Sequence, residues 1–330
     1  MNPDWKAFLS AQNTQFTELE NTQEEMLFDL SGRALIKVSG EDAESFLQNQ
    51  LSNDIHNVTE TEHQASAWCS PKGRIIATFQ IFKRAECFYL SLSADLLEHV
   101  IKKLRMYVMM SKVTLEDVTE SVIHFGYAGE LQTLIESAPR ASGQTIQLGN
   151  LSILRITGDT PRYEIFNVSA DDIDEAKKLW EQCKENSTTI NSNGWDYLNI
   201  LAGLPDISEA SSEAWIPQMV NYIAVGGVDF KKGCYPGQEV VARLNYLGKT
   251  KRRMYHLQIN TDQLPAIGDA IASDSDKAAG KILNVAINPD EKVEVLAVMK
   301  IAEMDSKLHL SNNSDANISV LELPYSVNDA

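Results

Sequence analysis

The sequence predicts an α+β protein: a main body made of two related halves, followed by a smaller all-β part. Three observations carry this expectation. Extended and helical patterns mix in two successive blocks of similar texture, about 34–118 and 122–184. Beyond Arg252 the chain breaks into short apolar runs separated by turn residues. At 330 residues it is also long for a single hydrophobic core. The boundaries read as an arm over 1–26, a body over 27–248 with halves 27–120 and 121–248, and a C-terminal domain over 249–330.

Residues 1–26 are polar with scattered apolar positions and read as a peripheral helix or arm. Leu27–Leu30 and Ala34–Val38 read as short strands around the turn signal Ser31-Gly32. Ser39-Gly40-Glu41-Asp42 supplies start residues for a helix through Leu51. Extended runs follow at Gln64–Cys69 and Ile75–Phe82, joined by Pro71-Lys72-Gly73-Arg74. That link reads as a hairpin turn, with a ligand-facing cation pair as the alternative. Phe88–Leu92 adds a strand. Leu96, Leu97, Val100, Ile101 and Leu104 then recur with helical period over Asp95–Tyr107.

The second block is extended at 112–118 and 122–127, helical near Glu130–Ser137, and loop-like over Pro139–Asn150, where the proline ends the helix. Leu151–Ile156 and Tyr163–Val168 read as strands, and Ala170–Cys183 as a helix opened by Asp171-Asp172. The kinship of the two blocks rests on element order and not on a literal repeat. A helix over 191–202 carries Trp195 and Leu198, and Pro205–Pro217 is a connection. Met254–Ile259, Ala270–Ala272, Lys281–Ile287, Val293–Met299 and Ile318–Leu323 are spaced by turns such as Asn288-Pro289-Asp290 and Ser311-Asn312-Asn313. This spacing fits a small β-barrel or a sandwich.

Composition narrows the function. Hydrophobic residues make up 43% and charged residues 23%, a globular balance. No run approaches the roughly 18 apolar residues of a membrane span, and the start lacks the cationic and apolar segments of a signal peptide, so a cytoplasmic protein is expected. Cys69, Cys87, Cys183 and Cys234 are far apart, without metal-ligand spacing, so neither a disulfide framework nor a metal is expected. A net charge of −17 disfavours nonspecific attraction to nucleic acid. Against that total, residues 231–253 carry Lys231, Lys232, Arg243, Lys249, Lys251, Arg252 and Arg253 with Glu239 the sole acid. Such a strip is either a solvated face or a docking place for an anion.

The chemistry concentrates in Lys231-Lys232-Gly233-Cys234-Tyr235-Pro236-Gly237-Gln238-Glu239-Val240-Val241-Ala242-Arg243. Pro236 suits a helix start and good helix formers follow, so Cys234 is expected just ahead of a helix N-terminus. Unpaired N–H groups, the helix dipole and the two lysines favour the thiolate, the reactive form. Gly233 and Gly237 permit a sharp bend or close backbone approach. The plainer alternative is a buried, inert cysteine in a tight turn. Gln238 and Glu239 bond a ligand or cap the helix, with capping favoured for Glu239.

This stretch resembles the signature of the YgfZ-type folate-binding proteins, bacterial relatives of the glycine-cleavage T-protein and of mitochondrial factors that mature iron–sulfur enzymes. The resemblance runs along nearly the whole chain. It takes in Phe46-Leu47-Gln48-Asn49-Gln50-Leu51-Ser52-Asn53-Asp54, Lys72-Gly73-Arg74 and Ala202-Gly203-Leu204-Pro205. It continues through Ile216-Pro217-Gln218-Met219-Val220-Asn221, Gly226-Gly227-Val228-Asp229-Phe230, Tyr246-Leu247-Gly248-Lys249 and Leu323-Pro324-Tyr325-Ser326.

It implies a T-protein-like body and a C-terminal β-barrel, with tetrahydrofolate or a one-carbon derivative as cofactor. Trp195 matches a folate-contacting tryptophan of that family, although an isolated tryptophan is more often plain core. The family's second such tryptophan falls at Arg33, whose guanidinium can stack or pair with a carboxylate instead. The implied role is that of an accessory factor, not a stand-alone enzyme. It would help assemble or repair iron–sulfur enzymes and so act indirectly on tRNA thiolation and methylthiolation, with folate in a cavity and Cys234 at its opening. Two alternatives stand beside it. One is a folate-dependent aminomethyltransferase-like enzyme, for which no matching acid is identified. The other is a tRNA-binding module using the strip 231–253.

Overall fold

The computed structural model describes residues 1–20, 25–169 and 172–327. The chain packs as two compact units, one of Met1–Gln48, Asp54–Ala65 and Phe79–Trp195, the other of Asn49–Asn53, Ser66–Thr78 and Asp196–Ala330. Among the described residues no helix is long and apolar enough to cross a membrane.

Helix α1 (Pro3–Ala11) opens the chain, with Asn2 as its N-cap accepting from the N–H groups of Asp4 and Trp5. The stretch that reads as a peripheral helix or arm is a helix with one face in the core: Trp5 and Leu9, four residues apart, are buried. The Trp5 indole lies 5.8 Å from Phe125 and 5.2 Å from Trp180, centroid to centroid. Trp5 and Leu9, with partly buried Phe8 stacked on Trp5 at 5.1 Å, seat the helix on the core. Strand β1 (Met26–Asp29) follows.

The first block runs β2 (Ala34–Ser39), α2 (Ala43–Gln50), β3 (Gln64–Cys69), β4 (Ile75–Arg84), β5 (Cys87–Leu92), α3 (Leu97–Val108) and β6 (Thr114–Asp117). Its five-stranded sheet has the order β3-β4-β5-β2-β6. The second block runs β7 (Ile123–Ala128), a single 3-10 turn (Leu131–Thr133), β8 (Thr145–Leu148), β9 (Leu151–Ile156), β10 (Arg162–Asn167), α4 (Asp174–Lys184) and β11 (Thr188–Ile190). Its sheet, read from the other end, is β8-β9-β10-β7-β1-β11.

Matched in chain order, the two blocks give the same sheet order, with β1 inserted in the second. Orientation agrees as well. β2 is antiparallel to β6, while β1 is antiparallel to β7 and parallel to β11, which sets β7 and β11 antiparallel. The relatedness expected from element order is therefore present in topology. It also leaves a trace in sequence. Gly40-Glu41 follows β2 and Gly129-Glu130 follows β7, both glycines with positive φ. Ser93-Ala94-Asp95 precedes α3, as Ser169-Ala170-Asp171 precedes α4.

Several expected elements differ. The helix near Glu130–Ser137 is one 3-10 turn, because the segment between Gly129 and Pro139 is short and commits Leu131 as the turn's buried residue. Strand β8 lies within the expected loop, and β11 was not anticipated, since three or four residues carry too little alternation to register. The expected helix start at Ala170-Asp171 lies outside the described residues, and α4 is described from Asp174.

Helix α5 (Ser192–Leu201) follows, then a connection with short 3-10 turns and helix α6 (Gln238–Leu247). The C-terminal part is β12 (Arg252–Ile259), β13 (Ala270–Ser273), β14 (Gly280–Ile287), β15 (Val293–Lys300), β16 (Leu308–Leu310) and β17 (Asn313–Leu321). These strands close as β12-β15-β14-β13-β16-β17, so the barrel and not the sandwich is formed. Closure satisfies both sheet edges. Its interior is aliphatic, with Leu257, Ile271, Val295, Ala297 and Met299 fully buried.

Candidate functional site

The Cys234 loop is fixed from both sides within its unit. The Lys232 ammonium is buried and donates to the carbonyls of Leu51 at 2.6 Å and Asn53 at 2.9 Å, while lying 5.5 Å over the Tyr235 ring. Tyr235 is buried next to Cys69, and burial raises its phenol pKa. Gly237 then takes φ +83° as the N-cap of α6, and a Cβ there would meet the Ser70 carbonyl oxygen and lie 2.7 Å from Gly73 Cα. Gly73 itself has φ +71°, closing the turn in which its N–H donates to Ser70 O at 2.8 Å. Two glycines thus allow the turn at Ser70–Arg74 and the helix start to meet backbone to backbone.

Between these anchors Gly233 and Cys234 are exposed, with nothing within 4 Å of a Cβ built at Gly233. Cys69 and Cys183 are buried and their pKa values are pushed up to about 12 by that burial, so they remain neutral thiols. Lys232 belongs to the framework of the loop, tied to carbonyl oxygens, whereas Lys231, Glu239 and Arg243 are exposed. Helix α6 has no side-chain cap at Gly237; the Gln238 amide turns back to the Gly233 carbonyl at 3.5 Å.

A second polar group lies on the sheet of the other unit. Arg162 and Glu164 stand two apart on β10 and therefore share a face. Glu164 makes an ion-pair contact with His124 at 3.4 Å, yet its Oε2 and the His124 Nε2 are buried without a hydrogen bond. Burial opposes charge on Glu164, but His124, Arg33 and His63 together hold its carboxyl below the ordinary range. The Arg162 guanidinium is buried, donates to the Thr157 carbonyl at 2.7 and 2.9 Å, and lies 5.3 Å over the Trp195 ring. Trp195 is 2% exposed, packed edge-on to Phe28 at 5.2 Å and against Gly126, where a Cβ would come within 2.8 Å of the indole. His63 donates from Nε2 to Arg155 O (3.1 Å), and its Nδ1 contacts Gln80. Burial lowers its pKa to about 4, so it is neutral near pH 7.

Comparison with known proteins places the chain. It is 32% identical over 311 residues to the tRNA-modifying protein YgfZ of Enterobacter sp. (strain 638), covering 92% of this chain and 94% of that protein. The YgfZ of Klebsiella pneumoniae (strain 342) is 30% identical over 312 residues, with the same coverage of 92% and 94%. This chain belongs to the YgfZ family. Residues 7–132 also match the GCVT N-terminal domain. The crystal structure of the glycine cleavage system aminomethyltransferase T from Bartonella henselae superposes with a TM-score of 0.66 at 17% identity, over 92% of this chain and 86% of that one. At that identity it shows the shared fold, a T-protein-like α+β body with a closed barrel.

In this YgfZ-family chain the structure gathers Trp195 and Arg33 into one unit with the Glu164 group. Arg33 donates from Nε to Ser91 Oγ at 3.5 Å and acts electrostatically on Glu164. Motif reading passed over Glu164, Arg162 and His124. The available signal was a charged pair at strand spacing, Arg162-Tyr163-Glu164, inside a strand otherwise apolar enough to be buried.

Proposed function

We propose that this protein is a folate-binding accessory factor for iron–sulfur enzymes, and that it affects tRNA modification through them, with Cys234 as its reactive group. The observation that carries the reading is the exposure of Cys234 on a loop whose neighbours are fixed by Lys232, Tyr235 and Gly237. A thiol held in this way is presented to a partner and not spent on packing. The YgfZ relatives are named for tRNA modification, which supports the cellular outcome.

The polar group of the other unit suits the cofactor. A carboxylate oxygen without a hydrogen bond, at Glu164, matches the donor edge of a 2-amino-pyrimidinone ring. Arg33 supplies a guanidinium suited to a ligand carboxylate, and Trp195 supports the group through the Arg162 cation over its ring. Bound tetrahydrofolate or its one-carbon derivative would supply one-carbon chemistry. The protein residues bind and orient it.

Two measurements test the reading together. Tetrahydrofolate titration is expected to saturate and to weaken about tenfold in Glu164→Gln and Trp195→Phe. A Cys234→Ala strain is expected to lose iron–sulfur enzyme activity and tRNA methylthiolation in parallel. Wild-type values of both in that strain would remove the cysteine from the mechanism, and absence of saturable folate binding would remove the cofactor.

A further inference from the structure

Helix α6, which begins four residues after Cys234, is flanked by two cavities that share Leu244 and Thr250 in their walls. One, of about 590 Å³, is lined by apolar Ile216, Met219 and Leu247 and by three cations, Arg243, Lys249 and Lys251, against one acid, Glu239. Leu247 is 84% exposed and Tyr246 67%, a large apolar display for one helix end.

The other cavity, of about 280 Å³, is lined by Gln218, Asn221 and Arg253. Asn221 is 2% exposed in the left-handed conformation, and its Nδ2 donates to Met254 O at 2.9 Å. Gln218 Nε2 likewise donates to Val241 O at 2.6 Å. Each amide is therefore oriented by a backbone carbonyl that demands a donor, and each leaves its oxygen, Asn221 Oδ1 and Gln218 Oε1, buried without a hydrogen bond. The nearby Tyr325 hydroxyl donates to Gly203 O instead, at 2.7 Å.

We propose that this face of α6 docks an extended acidic segment of a partner protein and brings it alongside the Cys234 loop. The three features select this occupant together. A wall built of the amides Gln218 and Asn221 suits a peptide backbone, which carries both donors and acceptors, better than a phosphate backbone, which carries acceptors alone. The apolar lining takes aliphatic side chains, whereas nucleic-acid surfaces are polar and stack bases on aromatic rings. The cations stand on a chain of net charge −17, so this strip attracts acidic side chains that the rest of the molecule repels. The inference rests on reading the Cys234 loop as acting on another protein. It names where that protein is held.

The test is fluorescence anisotropy on the full chain. The probe is a fluorescein-labelled octapeptide of alternating leucine and glutamate, and the controls are its lysine counterpart, a backbone N-methylated copy and octauridylate RNA. The acidic peptide is expected to bind saturably. Binding should weaken at least about tenfold for the N-methylated copy and in Leu247→Asp and Lys251→Glu, substitutions at exposed positions that leave the fold intact by circular dichroism. No saturable binding, binding unchanged by these variants, or displacement of the peptide by octauridylate at equal concentration would overturn the proposal. Tetrahydrofolate titration of the same preparation separates the two readings. Folate bound with peptide ignored removes the docking surface alone, and peptide bound with folate ignored removes the cofactor alone.

Discussion

The two sheets share one topology and differ in what their interiors hold. Strands β2 to β6 bury aliphatic and aromatic side chains, and their charged residues, among them Lys37, Lys83 and Glu116, lie at half-buried or exposed positions. In β7, β9 and β10 every residue is buried, and these include His124, Arg155, Arg162 and Glu164. A duplicated framework can thus use one copy as plain core and load the other with mutually compensating charges. Buried charges are costly unless paired, so this copy depends on the contacts among His124, Arg162 and Glu164 in a way the other does not.

The largest effect expected from breaking this difference is that of Glu164→Ala. Removing the carboxylate leaves the buried Arg162 cation without the opposite charge that favours it and should destabilise the protein by about 3–5 kcal/mol, read as a lowered urea midpoint. A polar-to-apolar change at exposed Thr114 of β6 should fall within about 0.5 kcal/mol.

Next in size is a pH effect from His63, the titratable group that the first block contributes to the polar cluster. Its pKa falls from 6.5 to about 4 on folding, so between those values the unfolded chain binds the extra proton. Stability from this group is complete above about pH 6.5 and is lost as pH falls toward 4, by about 3 kcal/mol. Urea unfolding across this range should show that slope, and His63→Gln should flatten it. Glu164 adds to the loss at still lower pH, because its carboxyl is also held below its unfolded value.

The equivalent glycines give the smallest and sharpest contrast. Both Gly40 (φ +114°) and Gly129 (φ +141°) lie where an L side chain is strained. A Cβ at Gly40 would collide with the Lys112 backbone carbonyl, whereas at Gly129 the nearest atom is the flexible Glu25 Cγ, at 2.9 Å. Gly40→Ala should therefore cost about 3 kcal/mol and Gly129→Ala about 1, measured as thermal unfolding shifts.

Legibility from sequence followed local signal. Strands such as β9 and β10 and helix α3 announce themselves by period, and the loop around Cys234 by its crowding of glycine, thiol and cations. The 3-10 turn after Gly129 and the short strands β8 and β11 do not, since so few residues hold no period. The Ser-Ala-Asp echo ahead of α3 and α4 was readable but gains meaning only from the matching sheet order. Lys232 reads as one more cation of a basic strip; only its neighbours at Leu51 and Asn53 reveal a buried tether.

By itself the sequence determined the family, the α+β body, the all-β end and the motif around Cys234, because these depend on residue types at short spacing. Tertiary structure alone decided that the barrel closes, that Trp5 is core, that Arg33 and Trp195 join one polar group, and that the sulfur of Cys234 is exposed while those of Cys69 and Cys183 are not. These outcomes depend on which distant segments meet, and burial, hydrogen bonding and charge compensation exist only between groups that have met.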